Sequence, residues 1–180
     1  MDYLDNYGLE GRSVLEIGSG SGIFHTTLVK KGASESLGID ISSHAIKKSV
    51  EIASSMNLSD KSLNYQGDFI ELEEDIGNYD IVVMDRMLCC YSSLDLILNS
   101  ACRHSNDLIA ITIPRKSILI KIVVNLLNTF KKFSREPFYL HLHSYKDIYS
   151  IMESKGFSRI HSDGAGLWSI YVFKKAMPNT

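Results

Sequence analysis

The chain has 180 residues, 44% hydrophobic and 22% charged, with a formal charge of -2. These values fit one globular domain that buries its own core, and they exclude a chain that holds nucleic acid through a global basic field. Its three cysteines, Cys89, Cys90 and Cys102, include no CxxC pair and make neither a disulfide framework nor a zinc site, so no metal is expected.

The acidic start MDYLDNYG lacks an apolar h-region, so no signal peptide is expected and the cytoplasm is the expected location. SVLEI (13–17) then reads as a buried strand that glycines stop. Residues 22–32 read as a helix closed by Gly32, and 35–40 as a second strand. Residues 42–57 open on serine caps and carry apolar residues at mixed spacings of three and four, as a helix requires. Residues 62–68 form a third strand, YDIVVMD (79–85) a fourth, 93–104 a helix, and 107–114 a fifth strand stopped by Pro114. After a helix over 144–157, residues 157–175 read as two antiparallel strands around a Gly164–Gly166 turn.

This order predicts one α/β domain over 1–180: a Rossmann-like, seven-stranded, mostly parallel sheet with helices on both faces and a C-terminal antiparallel hairpin. Ligands of such sheets sit beyond the carboxyl ends of the strands. That rule selects Gly18 to Gly22, Asp40-Ile41, Asp68-Phe69, Asp85-Arg86-Met87 and Pro114-Arg115.

The loop GSGSG has glycines at 18, 20 and 22, and Ile23 stands where a dinucleotide fingerprint wants its third glycine. Bare backbone at these positions marks close approach to a ligand. Asp40, at the end of the second strand, suits a ribose diol and would repel a 2′-phosphate. Asp68 suits an adenine amino group.

Taken in order, EIGSGSG, GIDIS, GDF and YDIVVMDRML resemble the class I S-adenosylmethionine-dependent methyltransferases, and the hairpin after SKGF resembles their reversed last strand. The similarity covers residues 12 to 113 and, less closely, 144 to 175. It implies S-adenosyl-L-methionine as cofactor. Glu16, Gly18, Ser19, Gly20 and Gly22 would line its methionine end, with Glu16 orienting the loop or balancing a cationic ligand. Asp40 would hold the ribose hydroxyls, Ile41 would pack on adenine, and Asp68 and Phe69 would contact adenine. Asp85, Arg86 and Met87 would lie where cofactor meets acceptor. DRMLCCY and the segment from Ile113 to Ser144 further resemble a subgroup placed near the magnesium-protoporphyrin O-methyltransferases.

Methyl transfer asks mainly for in-line alignment and exclusion of water, so no catalytic dyad is required. The expected activity is methylation of a small-molecule acceptor. Tyr91, Arg115 and His143 are the candidate catalytic residues: Tyr91 to line the acceptor pocket or carry a proton, Arg115 to pair an acidic group, His143 to face the substrate. His141 shares a face with His143 if the segment is extended. The adjacent cysteines read as small buried hydrophobes. Helix 116–132 has one narrow polar stripe, Lys121, Asn125, Asn128 and Lys132, on an otherwise apolar surface. It is too short for a membrane span. Residues 115–143 are expected to form a substrate cap, with a crossover helix, a homodimer contact or a membrane-surface contact as alternatives. Two functional alternatives stay open: a nicotinamide-dependent oxidoreductase, and a cofactor-binding module without turnover. A nucleic-acid acceptor is not expected, because the Asn-Pro-Pro-Tyr type of motif is absent.

Overall fold

The computed structural model describes residues 4–115, 122, 124–126, 129 and 140–176. Seven strands form one sheet: β1 (Ser13–Ile17), β2 (Glu35–Asp40), β3 (Ser62–Gln66), β4 (Tyr79–Asp85), β5 (Ser105–Pro114), β6 (Phe157–Ala165) and β7 (Trp168–Lys175), in the order β3-β2-β1-β4-β5-β7-β6. The first five strands pair in parallel, and β7 runs antiparallel to both β5 and β6. The helices are α1 (Ile23–Lys30), α2 (Ser43–Ser55), α3 (Phe69–Leu72), α4 (Leu94–His104) and α5 (Tyr145–Ser154).

The central strands are apolar at consecutive positions because both faces of the sheet are covered. Side chains alternate between faces. Ile81 and Val83 of β4 join Val14, Leu28 and Val29 under α1. Val82 and Met84 join Leu15, Ile17, Ile97, Leu98 and Met152 under α4 and α5. Glu16 has the parity of Val14, so its carboxylate falls on the α1 side of the sheet.

A buried polar cluster anchors α1. His25 is fully buried, with Nδ1 2.8 Å from Ser36 Oγ, and Thr26 Oγ1 lies 2.8 Å from Ser62 Oγ. Burial lowers the His25 pKa to about 4, so the ring is neutral at physiological pH. His25 therefore packs inside, as its place in the helix pattern allowed.

The sequence expectation differs at three edges. β3 ends at Gln66 rather than residue 68, because Gly67 turns the chain at φ +156° and the Asp68 side chain caps α3 by accepting from the Ile70 N–H at 2.9 Å. The final hairpin stays paired to Ala165 and Trp168, so it turns on Gly166 and Leu167 instead of at Gly164. Cys89 and Cys90 lie in a 3-10 turn over Leu88–Cys90. The expected helix 116–132 and the cap 115–143 lie largely outside the described residues; within them, Ile122, Val124 to Leu126 and Thr129 are helical. Among the described residues, no helix is long and apolar enough to cross a membrane.

Candidate active site

The carboxyl ends of β1, β2 and β4 and the turn after β3 border a cavity of about 330 Å³. Gly18, Asp40, Ile41, Asp68, Phe69, Met87 and Tyr91 line it, together with Ile17, Ile39, Gly67, Cys90 and Ser92. The sheet topology puts it there, since the crossovers from β1 to α1 and from β4 to α4 leave in opposite directions.

The glycine loop is built differently from a phosphate cradle. The N–H groups of Gly18 and Ser19 both donate to Ile39 O, at 2.8 and 2.9 Å. Gly20 N–H donates to Asp40 Oδ2 at 2.8 Å, and Gly22 N–H donates to Ser19 O at 2.9 Å. Four N–H groups of the loop are therefore used within the protein and are not offered to an anion. Ser19 is 7% exposed, its side chain turned inward beside Gly38, and its Oγ has no hydrogen-bond partner.

The three glycines have different surroundings, and all have positive φ. A Cβ on Gly18 would meet Met87 Cβ at 2.6 Å, and one on Gly22 would strike Ser49 and His25. A Cβ on Gly20 would meet nothing within 4 Å. Only Gly20 leaves open space; Gly18 and Gly22 are bare so that β4 and α2 can pack. Packing thus accounts for Gly18 and Gly22, and Gly18 lines the cavity as well.

Glu16 is 2% exposed and accepts a hydrogen bond from the His25 N–H at 3.2 Å. Burial raises its pKa well above the ordinary glutamate range, and the Asp85 and Asp40 carboxylates add to this. The His25 N–H and the Arg86 guanidinium oppose the rise without cancelling it. A buried carboxyl beneath a loop with four of its N–H groups spent disfavours phosphate.

Asp40 accepts from the Gly20 N–H and from the Ser42 N–H at 2.9 Å, so it fixes the loop and the α2 entry together. Each of its oxygens has the capacity to accept a further hydrogen bond, and the residue lines the cavity. Ile41 is 72% exposed, an apolar wall suited to a planar ring. Asp68 accepts from Ile70 and from the Tyr91 hydroxyl. Burial, with Asp68 second, raises the Tyr91 pKa well above the ordinary phenol value. The phenol holds Asp68, and Tyr91 lines the cavity as one of its two expected roles requires.

The three candidate catalytic residues do not converge. His143 Nε2 donates to Leu88 O and Tyr91 O at 3.0 and 2.8 Å, so its ring braces the turn before α4. Its other side borders a second hollow with Ser92, Asp95 and Asp147. His141 stacks near it, with ring centroids 6.2 Å apart, as a shared face requires. Arg115 donates its N–H to Leu167 O at 2.8 Å and lays its guanidinium across Gly164 of the hairpin, away from the cavity lining. Among the described residues, no cluster of His, Cys, Asp or Glu could hold a metal.

Beyond β4, Arg86 has φ +55°, a strained conformation for a residue with a side chain. Its guanidinium pairs with Asp85 Oδ2 at 2.9 Å and lies 5.9 Å from the centre of the Trp168 ring. Trp168 was not a sequence candidate. It reaches this place only through its pairing with Pro114, which no local pattern displays.

The Methyltransferase domain family model matches residues 9–156. Ribosomal protein L11 methyltransferase of Enterobacter sp. (strain 638) is 36% identical over 83 residues, 46% of this chain and 27% of that protein. The chain thus spans about a quarter of that relative's length. Two solved structures superpose with TM-scores of 0.78 at 18% identity. One is magnesium protoporphyrin IX methyltransferase from Synechocystis PCC 6803 with bound SAH, covering 97% of this chain and 79% of that one. The other is a SAM-dependent methyltransferase from Methanosarcina mazei, covering 99% of each. At such identities the likeness is one of fold. With the family match over most of its length, this chain belongs to the methyltransferase-domain family and has the class I S-adenosylmethionine-dependent fold.

Proposed function

We propose that the chain transfers the methyl group of S-adenosylmethionine to a small-molecule acceptor held beyond β4 and β5. The observation that carries the cofactor reading is the buried Glu16 carboxyl beneath a loop with four of its N–H groups spent. When bound, the cofactor supplies an electrophilic methyl on a cationic sulfur. Glu16 opposes that positive end, Asp40 accepts from the ribose hydroxyls, and Ile41 and Asp68 receive the adenine. The same arrangement argues against a nicotinamide dinucleotide, whose pyrophosphate needs the N–H groups this loop withholds.

On the acceptor side, the exposed Arg86 head and the Trp168 ring offer a cation beside a flat apolar surface. That combination favours an acceptor with a planar body and an anionic group. Arg115 supplies a second guanidinium at the hairpin and supports the same reading. No residue in the described site acts as a dedicated general base, which suits an oxygen acceptor that is already anionic.

The test pairs calorimetric titration of SAM, SAH and NADH with a methyl-release assay. The assay covers planar carboxylates, a porphyrin, ribosomal protein and RNA. SAH binding with turnover on the carboxylates or the porphyrin is the expected result. Turnover on protein or RNA alone overturns the acceptor reading, and binding without any turnover supports a non-catalytic module. NADH binding without SAH binding removes the cofactor reading.

Tyr91→Phe isolates the Asp68 contact. Loss of a hydrogen bond to a charged group is worth about 1.5 kcal/mol, so SAH affinity is expected to fall roughly tenfold. The lost bond lies within the fold, so Tm should also fall by roughly 3–6 °C, with Asp68 still held by the Ile70 N–H. Unchanged affinity would remove Tyr91 from the site.

A further inference from the structure

We propose that Cys89 and Cys90 form an oxidisable dithiol on the wall of the cofactor cavity, and that joining their sulfurs lowers the cavity's affinity for its ligand. The two residues follow one another in the 3-10 turn after β4, and Cys90 lines the cavity from an exposed position. The sequence reading as two buried hydrophobes holds for Cys89 alone. A strand would have sent the two side chains to opposite faces. The turn instead carries both on consecutive residues of one loop, where the Cys89 thiol donates to Arg86 O at 3.5 Å.

The chemistry follows from that adjacency. The neighbouring Cys90 thiol lowers the Cys89 thiol pKa to about 7, against the effect of burial. Thiolate is the reactive form. A peroxide oxidises it to a sulfenic acid and leaves as water. The neighbouring thiol then attacks that sulfur, forms the S–S bond and releases a second water. Two thiols and one hydrogen peroxide thus yield one disulfide and two waters. Adjacent Cα atoms lie about 3.8 Å apart, below the usual disulfide range of about 4.4–6.8 Å. Such a bond is strained and readily reduced, which suits a reversible modification.

Cys102 is the internal contrast. Burial raises its thiol pKa to about 11, and its sulfur lies 3.7 Å from Met152 Sδ inside the core.

The turn transmits the change. Cys89 O accepts from the His141 N–H at 2.8 Å, and Cys90 N–H donates to Met87 O at 2.8 Å. Both groups belong to the peptide unit that must rotate to bring the sulfurs together. Tyr91 follows directly, and its hydroxyl holds Asp68. Oxidation therefore disturbs the floor at Met87 and the wall at Asp68 together.

The effect on affinity rests on the cofactor reading above; the formation of the bond does not. The full chain is treated with hydrogen peroxide, with and without later dithiothreitol, then digested with trypsin and chymotrypsin to part Cys90 from Cys102. The Cys89–Cys90 peptide is expected to be lighter by two hydrogens and closed to iodoacetamide, while Cys102 alkylates after unfolding. SAH affinity is expected to fall about tenfold, the size of one lost hydrogen bond to a charged group, and to return on reduction. Cys89→Ala, compared with its own reduced form, should show neither change. Two alkylatable thiols after peroxide overturn the dithiol. A complete disulfide with unaltered SAH affinity overturns the coupling. Failure of the reduced protein to bind SAH overturns the cofactor reading and the coupling with it, while the mass change still decides the dithiol.

Discussion

Glu16→Gln is expected to melt higher than the parent at pH 8 while losing most of its affinity for S-adenosylmethionine. The buried carboxyl has a folded-state pKa above its unfolded value, chiefly through desolvation. Below the unfolded value, near 4.5, both states hold the proton and the group has no effect on pH dependence. As pH rises through the raised folded value, the unfolded state binds fewer protons and stability falls. Glutamine removes this loss. The variant should therefore melt higher at pH 8, each kcal/mol recovered shifting Tm by about 2–4 °C in a chain of this size. The Tm difference should shrink toward pH 4. Binding moves the other way, because a cationic ligand is favoured by the ionised form and expels its proton. Losing that charge should weaken SAM binding by about 1.5–3 kcal/mol, roughly 10- to 150-fold in Kd. Thermal melts across pH and calorimetric titrations check both halves. A Tm difference that does not change with pH would show that Glu16 is ionised in the ligand-free fold.

Gly20→Ala and Gly22→Ala are expected to fail in different ways. Both residues have positive φ, at 54° and 69°, and an L side chain there costs about 1–2 kcal/mol. At Gly20 nothing else stands in the way. That variant should fold with a slightly lowered Tm and bind SAH poorly, because the methyl enters the space beside the loop. At Gly22 the methyl meets Ser49 and His25, both fully buried and held in the polar cluster under α1. Overpacking adds about 1–3 kcal/mol, for a total of about 2–5 kcal/mol and a Tm lowered by roughly 5–15 °C. Thermal unfolding and SAH titration separate the two. Equal melting temperatures, or parent-like binding by Gly20→Ala, would contradict the assignment.

These glycines also show how far the sequence could be read. Strands β1, β2, β4 and β5 were legible because both faces are covered, so their apolar runs stand out. Asp40 and Asp68 were legible because a strand's end is where such sheets bind ligands. The spacing of the loop was visible too. What each glycine must avoid was not, because Met87 and Ser49 reach it from distant parts of the chain. Trp168 was hidden for the same reason, as its place depends on the β5–β7 register. Tyr91 and His143 stood out as catalytic candidates, yet their partners are Asp68 and two carbonyls, which only packing reveals. Cys90 looked apolar and buried, and a single turn of 3-10 helix exposes it.

The insertion of β7 between β5 and β6 has a consequence for biogenesis. The five parallel strands are made first, and β5, apolar at Leu108 to Ile111 and at Ile113, stays an open edge until residues 168–175 leave the ribosome. Unpaired apolar edges recruit other chains. The nascent domain is therefore most prone to aggregation when nearly all of it has been synthesised, and its last strand is the seal.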